Sequence, residues 1–210
     1  MTVEDIQPIM LYLPEADFSE RMELGRQHFR ENGLNMHEVW GVHSDNFGIR
    51  GTHPYLGDDP NRTIPQGQKD IGSVLSHYII YNVINAMSGE YFWITEDDAR
   101  FVDGWREKLN QALQDVPQDF DVLFTGSCCT CNLQKKHIAG SIFEVKYPLC
   151  GHSYIVHKRA IGLFLSTQRD TGIPTDIQLK QKAFSHLKVF TILPRLAGQQ
   201  QYNNMPELEI

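Results

Sequence analysis

The stretch Tyr91–Phe101, YFWITEDDARF, limits the possible folds more than any other part of the chain. Tyr91, Phe92, Trp93 and Ile94 are aromatic or β-branched in succession, behind a Ser88–Gly89 pair, and read as a buried strand. Glu96, Asp97 and Asp98 stand where that strand leaves the core. Three adjacent carboxylates repel one another. A hard divalent cation carrying phosphate oxygens is a natural counter-charge, because Mg²⁺ or Mn²⁺ takes carboxylate oxygens and keeps positions open for a diphosphate. The alternative for an acidic triplet is a solvated turn ahead of the helix that starts near Asp103.

The segments around it alternate between strand-like and helix-like, the pattern of an α/β domain. Ile9–Leu13 is a continuous apolar run closed by Pro14, a first strand buried on both faces. Asp17–Asn32 carries Phe18, Met22, Leu24 and Phe29 near helical spacing, and Gly33 follows where a left-handed cap belongs. His37–Val42 is a second strand, and Gln68–Met87 a mostly apolar, central helix. The helix from Asp103 to about Gln114 buries Trp105, Leu109, Ala112 and Leu113. Asp121–Phe124, Ile142–Val145, Ser153–Val156 and Leu187–Leu193 are further strands; Arg159–Thr167 and Thr175–Phe184 are helices. Between His43 and Gln68 lies a long polar stretch, a length that in compact domains marks a functional or mobile loop. Strands that feed helices put ligand sites at their carboxyl ends, where Glu96–Asp98 stand.

At 210 residues the chain suffices for one well-buried domain, expected over 1–200 with a polar tail over 201–210. A net charge of −7 argues against nucleic acid as a partner, since Lys135–Lys136 is the only paired basic step. Acids without Lys or Arg in MTVEDIQPIMLYLP, and no apolar run near twenty residues, lead to the expectation of a soluble cytoplasmic protein. Cys128, Cys129, Cys131 and Cys150 are expected as reduced thiols in a substrate-side loop, with a structural zinc as the alternative.

Five stretches, in order, carry a family resemblance: LPEADFSERM (Leu13–Met22), GSVLSH (Gly72–His77), YFWITEDDARF, GHSYIVHKRAIGLFL (Gly151–Leu165) and PTDIQL (Pro174–Leu179). Together the chain resembles glycosyltransferase family 25, the lipooligosaccharide-biosynthesis and collagen β-galactosyltransferase-like enzymes, from about Ile9 to Gln200. The resemblance implies a GT-A fold, a single Rossmann-like nucleotide-sugar-binding α/β sandwich around a mostly parallel sheet. It also implies a metal-dependent inverting hexosyltransferase that uses Mn²⁺ or Mg²⁺ and a nucleotide-sugar donor, a UDP-hexose, on a glycan or other hydroxyl acceptor.

Carried over residue by residue, Asp98 binds the metal directly and Glu96 acts through the ribose or a metal-bound water. Asp97, between them, belongs to the cofactor side and holds backbone geometry. Ser76 and His77 take donor-side roles. A lone His in an apolar helix is otherwise more often a satisfied core group. Arg21 pairs with the diphosphate, or merely with Asp17 on the helix surface. Asp176 is the base that takes the proton of the attacking hydroxyl, or a helix N-terminal carboxylate with no further task. His152 and Tyr154 line the acceptor side, and His186 is a further metal candidate. The stretch from Val42 to Gln68 is longer than the family pattern and suggests a donor lid; the cysteine cluster has no counterpart in it. Two other readings stand beside this one: a metal-dependent phosphoesterase or nucleotidyltransferase, whose second acidic pair would need Asp121 and Asp176, and a non-catalytic binding or structural relative.

Overall fold

The structure is a computed structural model that describes residues 1–12, 18–42, 64–128, 135–146, 148–169 and 173–199, without the side chains of 18–20, 64–70, 128 and 149. The donor-lid stretch 43–63, most of the cysteine cluster, Asp17 and the tail 201–210 lie outside the described residues.

Ten strands and five α-helices follow one another as β1 (Gln7–Tyr12), α1 (Phe18–Glu31), β2 (His37–Trp40), α2 (Ile64–Ala86), β3 (Tyr91–Glu96), β4 (Ala99–Phe101), α3 (Trp105–Asp115), β5 (Val122–Cys128), β6 (Lys135–Ala139), β7 (Ile142–Val145), β8 (Leu149–His157), α4 (Ile161–Thr167), α5 (Thr175–Lys182), β9 (Val189–Ile192) and β10 (Ala197–Gln199) among the described residues. Eight of the strands form one sheet in the order β2-β1-β3-β8-β5-β9-β7-β6. β7 and β8 run against the other six, so the sheet is mostly co-directional, as expected of an α/β fold.

Side-chain alternation along β3 divides the core in two. Phe92 and Ile94 join Ile80, Tyr81 and Ile84 of α2, Phe164 of α4 and Leu179 of α5 on one face. Trp93 joins Trp105, Leu109, Ala112 and Leu113 of α3 on the other, the same four α3 positions that the helical spacing selects. Phe29 of α1 packs with Met10 and Tyr12 on β1. Gly33 ends α1 at φ 68, the left-handed conformation that a residue without Cβ adopts without strain.

β8 is the strand that places the site. It lies between β3 and β5 but runs against both, pairing Thr95 with Ser153 and Ile94 with Tyr154. Its first half is therefore delivered to the edge where β3 and β5 end. Sequence spacing locates only Ser153–Val156 of it, because Leu149–His152 breaks the apolar pattern at the Gly151 position. β10 pairs antiparallel with β4, Gln199 opposite Ala99, and forms a small second sheet behind the acidic motif.

Candidate active site

The period-2 alternation that sorts the core also sorts the acidic triplet. Glu96 is the last residue of β3 and takes the α2 face, where His77 Nε2 lies 3.5 Å from Glu96 Oε1. Asp97 takes the α1 face, where the Arg21 guanidinium donates to its Oδ1 at 2.8 Å. Arg21 Nη2 also lies 3.4 Å from Asp98 Oδ2. Gly25, one turn further along α1, lets the helix come this close: a Cβ there would stand 2.7 Å from the Asp97 carbonyl oxygen. Arg100 adds a second guanidinium, donating to the Asp97 and Ala99 carbonyls at 3.0 and 2.8 Å.

The three carboxylates therefore do not share one environment. Asp97 is fully buried in its ion pair with Arg21, a side-chain contact rather than a hold on the backbone. Burial alone would raise the Glu96 carboxyl, but the His77 hydrogen bond and the charges of His77, His152 and Arg21 outweigh it and hold it below the usual range. Asp98 goes the other way: burial first, and then the Glu96 charge, push its carboxyl up to about 7. Its Oδ1 is buried with no hydrogen-bond partner among the described residues. An orphaned carboxylate oxygen that holds on to its proton is what a hard cation relieves, so Glu96 and Asp98 fit a divalent ion that keeps its other positions for diphosphate and water.

His186 does not join them. It is exposed in the 3₁₀ turn Phe184–His186, three residues ahead of β9. β9 runs parallel to β5 with Val189 opposite Val122, which puts His186 at the amino ends of the strands, the edge opposite Glu96. Among the described residues no group of three or more His, Cys, Asp or Glu is arranged to hold a metal. Asp121 sits at that far edge too, bound by Arg159 Nε at 2.6 Å and by the Lys188 amide at 2.8 Å.

Beside Glu96 opens a cavity of about 320 Å³. His77, Tyr81, Tyr154 and Asp176 line it with Glu96, together with Phe124, Phe164 and Phe184. Asp176, in the first turn of α5, accepts from its neighbour's amide, Ile177 N, at 2.8 Å and from Cys150 N at 3.0 Å. Two backbone donors fix its carboxylate at the cavity wall and leave further lone pairs for a substrate. Cys150 holds that contact from a left-handed backbone, φ 60. It is disulfide-bonded, which corrects the expectation of a reduced thiol.

Tyr154 and Tyr81 share a 2.9 Å hydrogen bond between their hydroxyls, and burial raises both phenols further above neutrality. His152 is buried as well; its Nε2–H donates to the Ala197 carbonyl at 3.2 Å, and burial lowers its pKa. Ser76 is spent on the scaffold: its hydroxyl donates to the Gly72 carbonyl at 2.7 Å and accepts from Val42 N at 2.8 Å, joining α2 to the end of β2. Sequence reasoning overlooks Tyr81 and Gln199. Tyr81 follows His77 by one helical turn, a spacing that puts both on one face. Gln199, from β10, donates to Glu96 Oε2 at 3.4 Å and has no local signal.

No model of a known protein family matches the chain. A curated relative matches part of it. The chain resembles glycosyltransferase family 25. The relative is a glycosyltransferase 25 family member of Aedes aegypti, 31% identical over 98 residues, which are 46% of this chain but only 16% of that protein. Among solved structures, a glycosyltransferase involved in the glycosylation of the major capsid of PBCV-1 aligns with 89% of this chain and 81% of its own, at TM-score 0.48 and 11% identity. The inositol-1-phosphate CTP transferase of T. maritima aligns at TM-score 0.45 and 11% identity, over 91% and 90%. A Drosophila galactosyltransferase 7 mutant, in complex with manganese, UDP-Gal and xylobiose, aligns at TM-score 0.40 and 10% identity, over 98% and 76%. Among the described residues no helix is long and apolar enough to cross a membrane.

Proposed function

We propose that the chain is a glycosyltransferase domain that moves a hexose from a nucleotide-sugar, a UDP-hexose, to a hydroxyl acceptor in a single inverting displacement. The observation that carries this reading is the cavity itself, where Glu96 from β3, His77 from α2 and Asp176 from α5 meet at the carboxyl end of the sheet. The family resemblance supplies the reaction class. Glu96 and Asp98 would hold the divalent cation, which when bound stabilises the charge that develops on the leaving diphosphate. Arg21 and Arg100, already at the acidic turn, add positive charge on the side where that diphosphate would lie.

Asp176 accepts the proton of the attacking acceptor hydroxyl as its oxygen bonds to the anomeric carbon and the bond to the diphosphate oxygen breaks. Its two amide hydrogen bonds fix it in place for that task, and the buried Tyr81–Tyr154 pair shapes the wall beside it. The alternative with two metals loses support from Asp121, which lies at the opposite edge of the sheet.

Thermal-shift titration with UDP, GDP, CMP and CTP, each with and without Mn²⁺, tests the reading, since a ligand of the native state raises the melting temperature. Stabilisation by UDP that needs Mn²⁺ and is lost in Asp98→Ala is the expected result. Stabilisation by CTP alone favours a nucleotidyltransferase, and no stabilisation by any of the four favours a non-catalytic relative.

A further inference from the structure

The cavity beside Glu96 is lined by carboxylates, a carboxamide, an imidazole and aromatic rings. No Lys or Arg is among its described lining residues, whereas Arg21 and Arg100 stand at Asp97 and Asp98, on the turn that follows β3. Among the described residues, guanidinium charge therefore stands at the turn and not in the cavity lining. The lining combines polar groups, Glu96, His77, Asp176 and Gln199, with aromatic ones, Tyr81, Phe124, Phe164 and Phe184. A hexose offers partners to both kinds, with hydroxyls at its rim and an apolar C–H face.

Gln199 is one of the polar lining residues, and the chain fixes its strap by four contacts outside its own side chain. Val102 N donates to the Leu196 carbonyl at 3.0 Å, and Leu196 N donates to the Thr125 carbonyl at 2.8 Å. His152 Nε2 donates to the Ala197 carbonyl, and the β10–β4 ladder sets Gln199 opposite Ala99. The carboxamide gives one N–H to Glu96 Oε2 at a long 3.4 Å. A carboxamide has a second N–H and a carbonyl oxygen to offer, while an ionised carboxylate only accepts. Side by side, the two groups present both a donor and acceptors. Two vicinal hydroxyls, each both donor and acceptor, match that array; a phosphate, acceptor only, does not.

Resting on the transferase reading above, which puts the transferred hexose in this cavity, we infer that Gln199 is a specificity-determining residue that reads the hexose hydroxyls alongside Glu96. The strap Leu196–Gln199 then acts as one wall of the sugar site, although it is more than ninety residues from the acidic motif in sequence.

Calorimetric affinities of UDP, UDP-galactose and UDP-glucose, all with Mn²⁺, test this on the wild type, Gln199→Met and Gln199→Glu. Gln199→Met keeps length and volume without hydrogen bonds, and its melting temperature reports whether the strap is still folded. We expect UDP to bind within about twofold of wild type, while the preferred UDP-hexose loses about three- to tenfold, the worth of one neutral hydrogen bond. The ratio between the two hexoses should shrink in both variants. Equal losses for UDP and UDP-hexose would overturn the assignment and make Gln199 a support for Glu96, and so would an unchanged hexose ratio. If Gln199→Met unfolds, the same ratio is read from Gln199→Glu. A wild type that binds none of the three overturns the transferase reading itself, an outcome distinct from loss of sugar discrimination alone.

Discussion

Replacing Asp97 by alanine should unfold this protein more easily without touching the residue assigned to the cation. Arg21 donates to Asp97 at 2.8 Å; the Asp97 side chain is 0% exposed and that of Arg21 15%. Removing one partner of a buried pair costs about 3–5 kcal/mol, because the other charge stays behind without it. Here the guanidinium keeps Asp98 as a neighbour at 3.4 Å, so the lower end, about 3 kcal/mol, is expected. For a chain of this size that is a fall in Tm of about 6–12 °C. Urea unfolding of wild type, Asp97→Ala, Arg21→Ala and the double variant gives the numbers. The double variant should cost clearly less than the sum of the two singles, since the pair is one interaction. A loss below about 1 kcal/mol in Asp97→Ala, or strictly additive costs in the double variant, would refute the reasoning and return Asp97 to the pool of cation ligands.

The Arg26–Glu38 pair, with Nη2 to Oε2 at 2.6 Å, ties α1 to β2, and its hydrogen bond holds the Glu38 carboxyl below the usual 4.5. A lowered carboxyl stabilises the fold above its unfolded pKa and loses that contribution as pH falls through the folded one, so the gap in stability between wild type and Glu38→Gln, roughly 0.5–1 kcal/mol for a partly exposed pair at neutral pH, should close in urea titrations as the pH falls below the usual carboxyl range and through the lowered folded one. Gly126→Ala places a Cβ 2.5 Å from His152 Nε2 and 2.6 Å from the Ala197 carbonyl oxygen, so it should push the strap away from β5. A cost of about 1–3 kcal/mol is expected in thermal unfolding, together with weaker binding of UDP-galactose than of UDP; an unchanged Tm would mean that the strap does not press on this position.

The elements whose signal is local were legible in the residues. β3, the α3 stripe of Trp105, Leu109, Ala112 and Leu113, the Gly33 cap and the strand Ile142–Val145 all follow from spacing and composition within a few residues. β4, β6 and β10 were not, because strands of three to five residues without an apolar alternation exist only through the partner they pair with. The same division runs through the candidate site. Glu96, Asp97 and Asp98 announce themselves as a triplet, yet their three different environments follow from which face each side chain takes when β3 is paired on both sides.

The sequence offers Arg21 a diphosphate or Asp17, which lies outside the described residues; the tertiary packing of α1 against the turn, permitted by Gly25, adds Asp97 and Asp98 as partners. His186 looked equivalent to other late histidines in sequence, and only the direction of β9 puts it at the wrong edge. By itself the sequence determined the α/β class, the acidic end of β3 and the resemblance to family 25, because these depend on residue type and order along the chain. Which carboxylate is paired, which is left with an orphaned oxygen, and that Asp176 and Gln199 close the same cavity were decided by the tertiary structure. Burial and charge at a point in space are summed over segments that the chain brings together only when the antiparallel β8 and the strap ending at Gln199 are in place.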